Sequence, residues 1–302
     1  MPYTLLQLVD QCAGELGLAV PSSVVGNSTQ EVVQWLYLAN GLGRDLSREH
    51  DWQRLTKEYR FPMVYYTYTG TTADGSTSVT GMSSIVGLDA TFMVTGTGIQ
   101  QDTYVSSASG STVVLSLAAT ASGSVTLTFS QTKYAFPGDY DRLIDRTDWD
   151  KSKHWEMLGP ETGQQWQWLK SGFISTGPRI RFRPLGGYFQ VWPAQGTADL
   201  LGFEYVSNQW VLSTAATYNT PDKSAFSADT DVSIYPDSLM VLGLKSKYFQ
   251  SKGWADPYGA QYEKQKAIAE SNEAGSPTLS MAPRLSDVLI TWDNIPDASF
   301  PG

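Results

Sequence analysis

Twelve residues, Asp139-Tyr-Asp141-Arg-Leu-Ile-Asp145-Arg-Thr-Asp148-Trp-Asp150, hold the densest run of chemically capable side chains in this chain. Carboxylates at that density offer the hard oxygen ligands that Ca²⁺ and Mg²⁺ take. The spacing lacks the EF-hand pattern and its central glycine, and Arg142 and Arg146 interleave with the acids. The run therefore reads as a short helix laced with ion pairs in preference to a metal site. Glu156 and Glu161 are further carboxylates for a glycosidase-type pair, but that chemistry needs two acids facing each other across a cleft, and spacing alone brings no pair together. No G-x-S-x-G elbow, P-loop, dinucleotide fingerprint or H-E-x-x-H motif occurs, and His50 and His154 lack a catalytic serine or cysteine context. The reading is of a protein that is not an enzyme and needs no cofactor. With one cysteine, Cys12, and two histidines, one chain cannot assemble a Cys/His zinc site or an intrachain disulfide.

Ten tryptophans and sixteen tyrosines raise a second kind of chemistry, stacking on sugars or on single-stranded bases, for which Trp166, Trp168 and Trp192 are the candidates. Core and subunit interface are the competing destinations for such residues, and the preferred ones here. Arg179, Arg181 and Arg183 alternate onto one strand face and could touch nucleic acid, though a three-residue stripe in an acidic protein more often pairs with acids. The balance of 21 Lys and Arg against 30 Asp and Glu, a net charge of -9, argues against a large basic surface that grips phosphates. It leaves room for a protein that DNA slides past.

The elements that would position these residues follow from periodicity. Leu5, Leu6, Val9, Cys12, Ala13 and Leu16 recur at helical spacing, with Gly14 and Gly17 weakening the end. Ser28 and Glu31 have capping-box spacing ahead of a second helix whose stripe is Val32, Trp35, Leu36, Ala39, Leu42, Gly43 and Leu46. Residues 58–69 and 131–136 read as two strands interrupted by 70–130, a stretch with only Asp74, Asp89 and Asp102 charged. Its short β-branched segments, bounded by turns, describe a small all-β sandwich or barrel. Arg179–Arg183, the Gly186-Gly187 turn, Tyr188–Trp192 and Leu200–Val206 read as an antiparallel meander. Pro236 opens a helix with Leu239, Leu242, Ser246 and Phe249 on one stripe and Gly253 near its end, and Asp256-Pro257 opens a more polar one running to about Ala274. The fold class expected is α+β: a helix bundle from both termini plus the meander, with the inserted all-β domain. The start shows no basic region before Asp10 and no run approaches about 18 apolar residues, so synthesis in the cytoplasm and no membrane span are expected.

The stretch 276–302 is too apolar for a solvated linker and too irregular for a helix. Leu285, Val288, Ile290, Trp292, Ile295 and Phe300 mark it as a docking tail, on its own domain or along a partner.

Taken in order, the two N-terminal helices, the interrupted β-region, FPGDYDRL at 136–143, WEMLGPETGQQWQWLK at 155–170, RIRFRPLGGYFQVWPA at 179–194, FEYVSNQWV at 203–211 and PDSLMVLGLKSKYFQSKG at 236–253 resemble the head-to-tail adaptors of short-tailed bacteriophages, also called tail tubular or head completion proteins. The resemblance covers 1–69 and 131–275 and rests on aromatic and proline positions; the β-rich insertion departs from the minimal family plan. It implies a virion neck protein: a ring, expected to be twelve-fold, beneath the portal protein and above the tail or nozzle protein, with double-stranded DNA passing through without sequence-specific binding. It also implies that the six tail residues named above anchor against the portal. A polysaccharide-binding virion or surface protein, using the insertion and the Trp-rich region, is the alternative. A hydrolase built on the acids near Asp139 is the third reading.

Overall fold

The computed structural model describes residues 2–171, 179–216 and 220–273. In chain order it contains α1 (Leu5–Glu15), α2 (Gln30–Glu49), a single 3-10 turn, then β1 (Thr56–Pro62), β2 (Tyr65–Thr72), β3 (Ser78–Val79), β4 (Phe92–Thr95), β5 (Val105–Ser109), β6 (Thr112–Leu115) and β7 (Gly123–Gln131). There follow β8 (Lys133–Ala135), β9 (Tyr140–Leu143), β10 (Trp149–Asp150), β11 (Trp155–Glu156), α3 (Gly163–Lys170), β12 (Arg181–Leu185), β13 (Tyr188–Trp192), β14 (Leu200–Ser207), β15 (Val211–Leu212), β16 (Val232–Ser233), α4 (Asp237–Lys252) and α5 (Gly259–Glu273). Helices and antiparallel sheets together make the chain α+β.

The helices share one core. Helix α1 buries Leu5, Leu8, Val9, Cys12 and Ala13, and its start is fixed by Thr4 and Gln7, which satisfy each other's backbone N–H. Helix α2 buries Val32, Trp35, Ala39, Leu42, Gly43 and Leu46, as its spacing predicts. The box expected from Ser28 and Glu31 does not form. Thr29 is the N-cap without a side-chain bond, and the Glu31 carboxylate instead accepts from the Tyr248 hydroxyl at 2.7 Å. Helix α4 packs against α1, α2 and α5. That central place explains why it buries Met240, Val241, Leu244 and Tyr248 beside Leu239, while Leu242 and Phe249 of the expected stripe are only half-buried. A Cβ at Gly243 would lie 2.8 Å from Leu42 and from Tyr262, so the glycine sets how closely the three helices approach. Gly253 ends α4 in the left-handed region, and Asp256 caps α5 by accepting from the Tyr258 and Gly259 amides.

The strands do not form the expected meander. Strands β12, β13 and β8 make one sheet, whereas β14 belongs to another, with β1 on one edge and β9 and β10 sharing the other. The edge of β13 that the third meander strand would have used is taken by Lys133–Ala135. The stretch 58–69 is likewise two strands, divided at Met63-Val64, the first on β14 and the second on β7. The two sheets enclose a core rich in aromatics: Phe61, Tyr134, Phe182, Phe189, Phe203 and Tyr205. Strands β2, β7 and β4 and strands β3, β6 and β5 form two further sheets around Val79, Phe92, Val94, Val105, Val113, Leu115, Leu127 and Phe129.

Two glycines of α2 predict opposite responses to one added methyl group. A Cβ at Gly43 would lie 2.2 Å from the Trp210 ring, whereas one at Gly41 meets nothing within 4 Å. Gly43→Ala is expected to destabilise the chain by about 3 kcal/mol, and Gly41→Ala to stabilise it by about 0.5–1 kcal/mol. Urea unfolding of both variants checks the pair.

Candidate functional site

The acidic run is strand and turn, not helix, and its Asp139, Asp141 and Asp150 carboxylates each meet a different partner. Asp139 accepts from the Lys57 ammonium at 2.6 Å, the Ser207 hydroxyl at 2.7 Å and the Tyr205 hydroxyl at 2.8 Å. Burial raises its pKa, but these three donors outweigh burial and hold the carboxyl below its ordinary value. The same contact raises the Tyr205 phenol, burial first and the adjacent carboxylate second. Asp139 is thus a clasp between β1, β14 and the entry to β9. Asp141 pairs with Arg142 at 2.7 Å. That guanidinium also takes Asp51 at 2.7 Å and the Ser47 and His50 carbonyls, tying β9 to the end of α2. Asp150 is buried and accepts from the Ser152 and Lys153 amides, closing the β10–β11 turn. Among the described residues no group of three or more His, Cys, Asp or Glu is placed to hold a metal ion. Glu161 faces Arg181 at 2.5 Å, and Glu156 stands opposite Trp149 in the β10–β11 register.

The tryptophans divide by burial. Trp166 and Trp192 are buried with Met93 and Leu169 in a small core of their own, which removes them from any stacking surface. Trp168, on the opposite side of α3, is 54% exposed. Trp149, Trp155 and Trp254 are also exposed, as is Tyr37 on α2. Of the arginine stripe, Arg181 is consumed by Glu161. Cys12 is buried, and burial pushes its thiol up to about 12, which makes it unreactive at neutral pH. The tail anchors Leu285, Val288, Ile290, Trp292, Ile295 and Phe300 lie outside the described residues.

Two features escape local reading of the sequence. Asp102, one of three charges in the stretch 70–130, pairs with Lys170 of α3 at 2.9 Å, and the Lys133 and Lys170 ammoniums lie 4.3 and 5.1 Å from the Tyr104 ring. The lone charge was the available signal, but its partner is 68 residues on (170 − 102). The second is a cleft of about 510 Å³ between Trp52, Ile234, Tyr235, Ala269 and the last turn of α5, rimmed by Asp237 and Glu273. Its walls come from five separate stretches of chain, so no local pattern marks it. Among the described residues no helix is long and apolar enough to cross a membrane.

Asp148 is the outlier of the acidic run. Its carboxyl is buried with one oxygen that has no hydrogen-bond partner among the described residues. Burial first, then the charges of Asp145 and Glu156, raise it from 3.8 to about 7. The native state therefore holds this proton more tightly than the unfolded chain. The resulting stabilisation is complete below about pH 4 and is lost as pH rises through about 7. Asp148→Asn is expected to gain about 2–4 kcal/mol over the parent at pH 8, with the gain shrinking toward pH 4; denaturant unfolding across that range checks it. Compared with known proteins, this chain matches no family model and no curated sequence.

Proposed function

We propose that this chain is a head-to-tail adaptor of a short-tailed phage, as its order of parts suggests. In this reading it is a non-enzymatic virion protein whose copies close into a ring, expected to be twelve-fold, beneath the portal. The observation that carries the reading is the placement of aromatic surface. Trp149, Trp155, Trp168, Trp254 and Tyr37 are each more than a third exposed, the first two on the β10–β11 hairpin, the others on α3, after α4 and on α2. Large aromatics are enriched in protein interfaces, where they supply most of the binding energy. A ring protomer must bury such residues on each flank, because its heterologous contacts present two different patches.

Within this reading α1, α2, α4 and α5 form the ring body. Residues 70–130 are a module grafted between β1 and β8, and the ladder from Tyr65↔Ser130 to Thr72↔Gly123 is its stem. The net charge of -9 suits a channel wall that DNA must leave without sticking. The tail or nozzle protein binds below, and Leu285, Val288, Ile290, Trp292, Ile295 and Phe300 anchor against the portal above. The glycan-binding reading loses two of its three named indoles to burial. The hydrolase reading loses Asp139 and Asp141 to ion pairs.

Electron microscopy of the purified chain mixed with the portal of the same phage tests this directly. Rings stacked coaxially on the portal are expected, and a chain lacking residues 285–302 should keep its circular dichroism spectrum and lose that association. Free protomers beside bare portals would overturn the reading.

A further inference from the structure

The cleft beside α5 lies where the described part of that helix ends. Its floor and walls, Trp52, Ile234, Tyr235 and Ala269, are mainly apolar, and its volume of about 510 Å³ falls in the range that holds a few large side chains. Glu273, the last described residue of α5, is part of the rim, so the remaining 29 residues (302 − 273) leave from the cleft itself. The first large apolar side chains after it are Leu279 and Met281, separated by one residue, which suits an extended path between Pro277 and Pro283.

Charge agrees with this placement. The rim carries two carboxylates: Asp237, which accepts from the Tyr3 amide at 3.0 Å, and Glu273, which accepts from the Arg54 amide at 3.1 Å. Each is engaged through one oxygen, and among the described residues the other oxygen has no hydrogen-bond donor. Arg284 is the one basic residue in 274–302. The neighbouring Arg54 guanidinium is turned inward to the Ile234 carbonyl at 2.9 Å and leaves the rim acidic.

We propose that residues 277–284 fold back into this cleft, with Leu279 and Met281 as apolar anchors and Arg284 on the Asp237 and Glu273 rim. The tether decides the competition for the site. Six residues from Glu273 to Leu279 span at most about 20 Å, and a tether this short supplies an effective concentration of about a millimolar. A contact too weak to hold a free peptide is then filled by the chain's own segment. The fold-back fixes where residue 285 begins, and so aims the following docking tail from one point on the helical body. It concerns the free chain and stands apart from the portal reading.

The test uses the full-length chain without portal, carrying a benzoylphenylalanine photo-crosslinker at exposed Asn272. At high dilution, irradiation is expected to give links within one chain to residues 277–284, identified by mass spectrometry. Links to another region, links between two chains, or none would overturn the proposal. A second arm places Leu279→Asp and Met281→Asp in the segment, outside every core described above. Loss of amide protection in peptides covering 52–55 and 233–237 is the expected result, and unchanged exchange overturns the proposal even where a crosslink is seen. Since both arms read the free chain, their failure leaves ring formation open, and a failed portal assay leaves the fold-back standing.

Discussion

Strand β14 is the constraint on which the rest of the structure depends. It is paired along both edges, by β1 on one side and by β9 and β10 on the other, and all but two of its eight residues are buried. Leu201, Phe203 and Tyr205 point into the aromatic core between the sheets, while Val206 reaches the core of the helices. Full burial of side chains of this size stabilises by about 1.5–3 kcal/mol each. A strand serving two cores at once also fixes the position of the helical layer relative to the sheets. Four residues beyond Val206, Trp210 lies against Gly43 of α2, so the same short length of chain that closes the sheet also seats the helix.

The charged groups that looked most like chemistry serve this arrangement. Asp139 gathers Lys57 from β1 and Tyr205 and Ser207 from β14, and Arg142 carries β9 onto the carbonyls at the end of α2. Removing one partner of such a network leaves a partly buried charge unmatched, which costs more than the intact network contributes. The Asp139 and Arg142 side chains are therefore engaged in holding the fold. The surface the cores do not need includes the exposed indoles and the cleft beside α5.

The helices were legible because their signal is local. The α2 stripe from Val32 to Leu46, the Gly253 stop and the Asp256 cap each depend on residues within a few positions of one another. The short β segments of 70–130 were legible for the same reason, since β-branched runs between turns need only their neighbours. Errors entered where a distant partner decided. The Glu31 carboxylate had a nearby amide to bond and took the Tyr248 hydroxyl, 217 residues away, instead. Leu200–Val206 has the length and composition of a third meander strand, yet its near-continuous burial marks a strand covered on both faces. The acidic run mimicked a helix because its ion pairs, read along the sequence, fell at helical spacing. In space Arg142 reaches Asp51 across another element, and the two-residue strands β10 and β11 are too short to leave any period. Trp166 and Trp192 illustrate the limit for aromatics, since nothing in WQW distinguishes the buried first indole from the exposed second one.

The attachment of the 70–130 stretch bears on how an assembly of copies would be shaped. A module joined only through its β2–β7 stem could pivot on the two short connections at its base. Here a second connection exists: Met93 packs with Trp166, Leu169 and Trp192, and Asp102 pairs with Lys170 on α3. Two attachments at separate points remove the hinge, because rotation about the stem would expose a fully buried indole and break an ion pair together. Surface ion pairs alone contribute little, so it is the buried Trp166 and Trp192 contact that resists the motion, with Asp102 setting its register. The 70–130 stretch is thereby also fastened to α3 and to the end of β13.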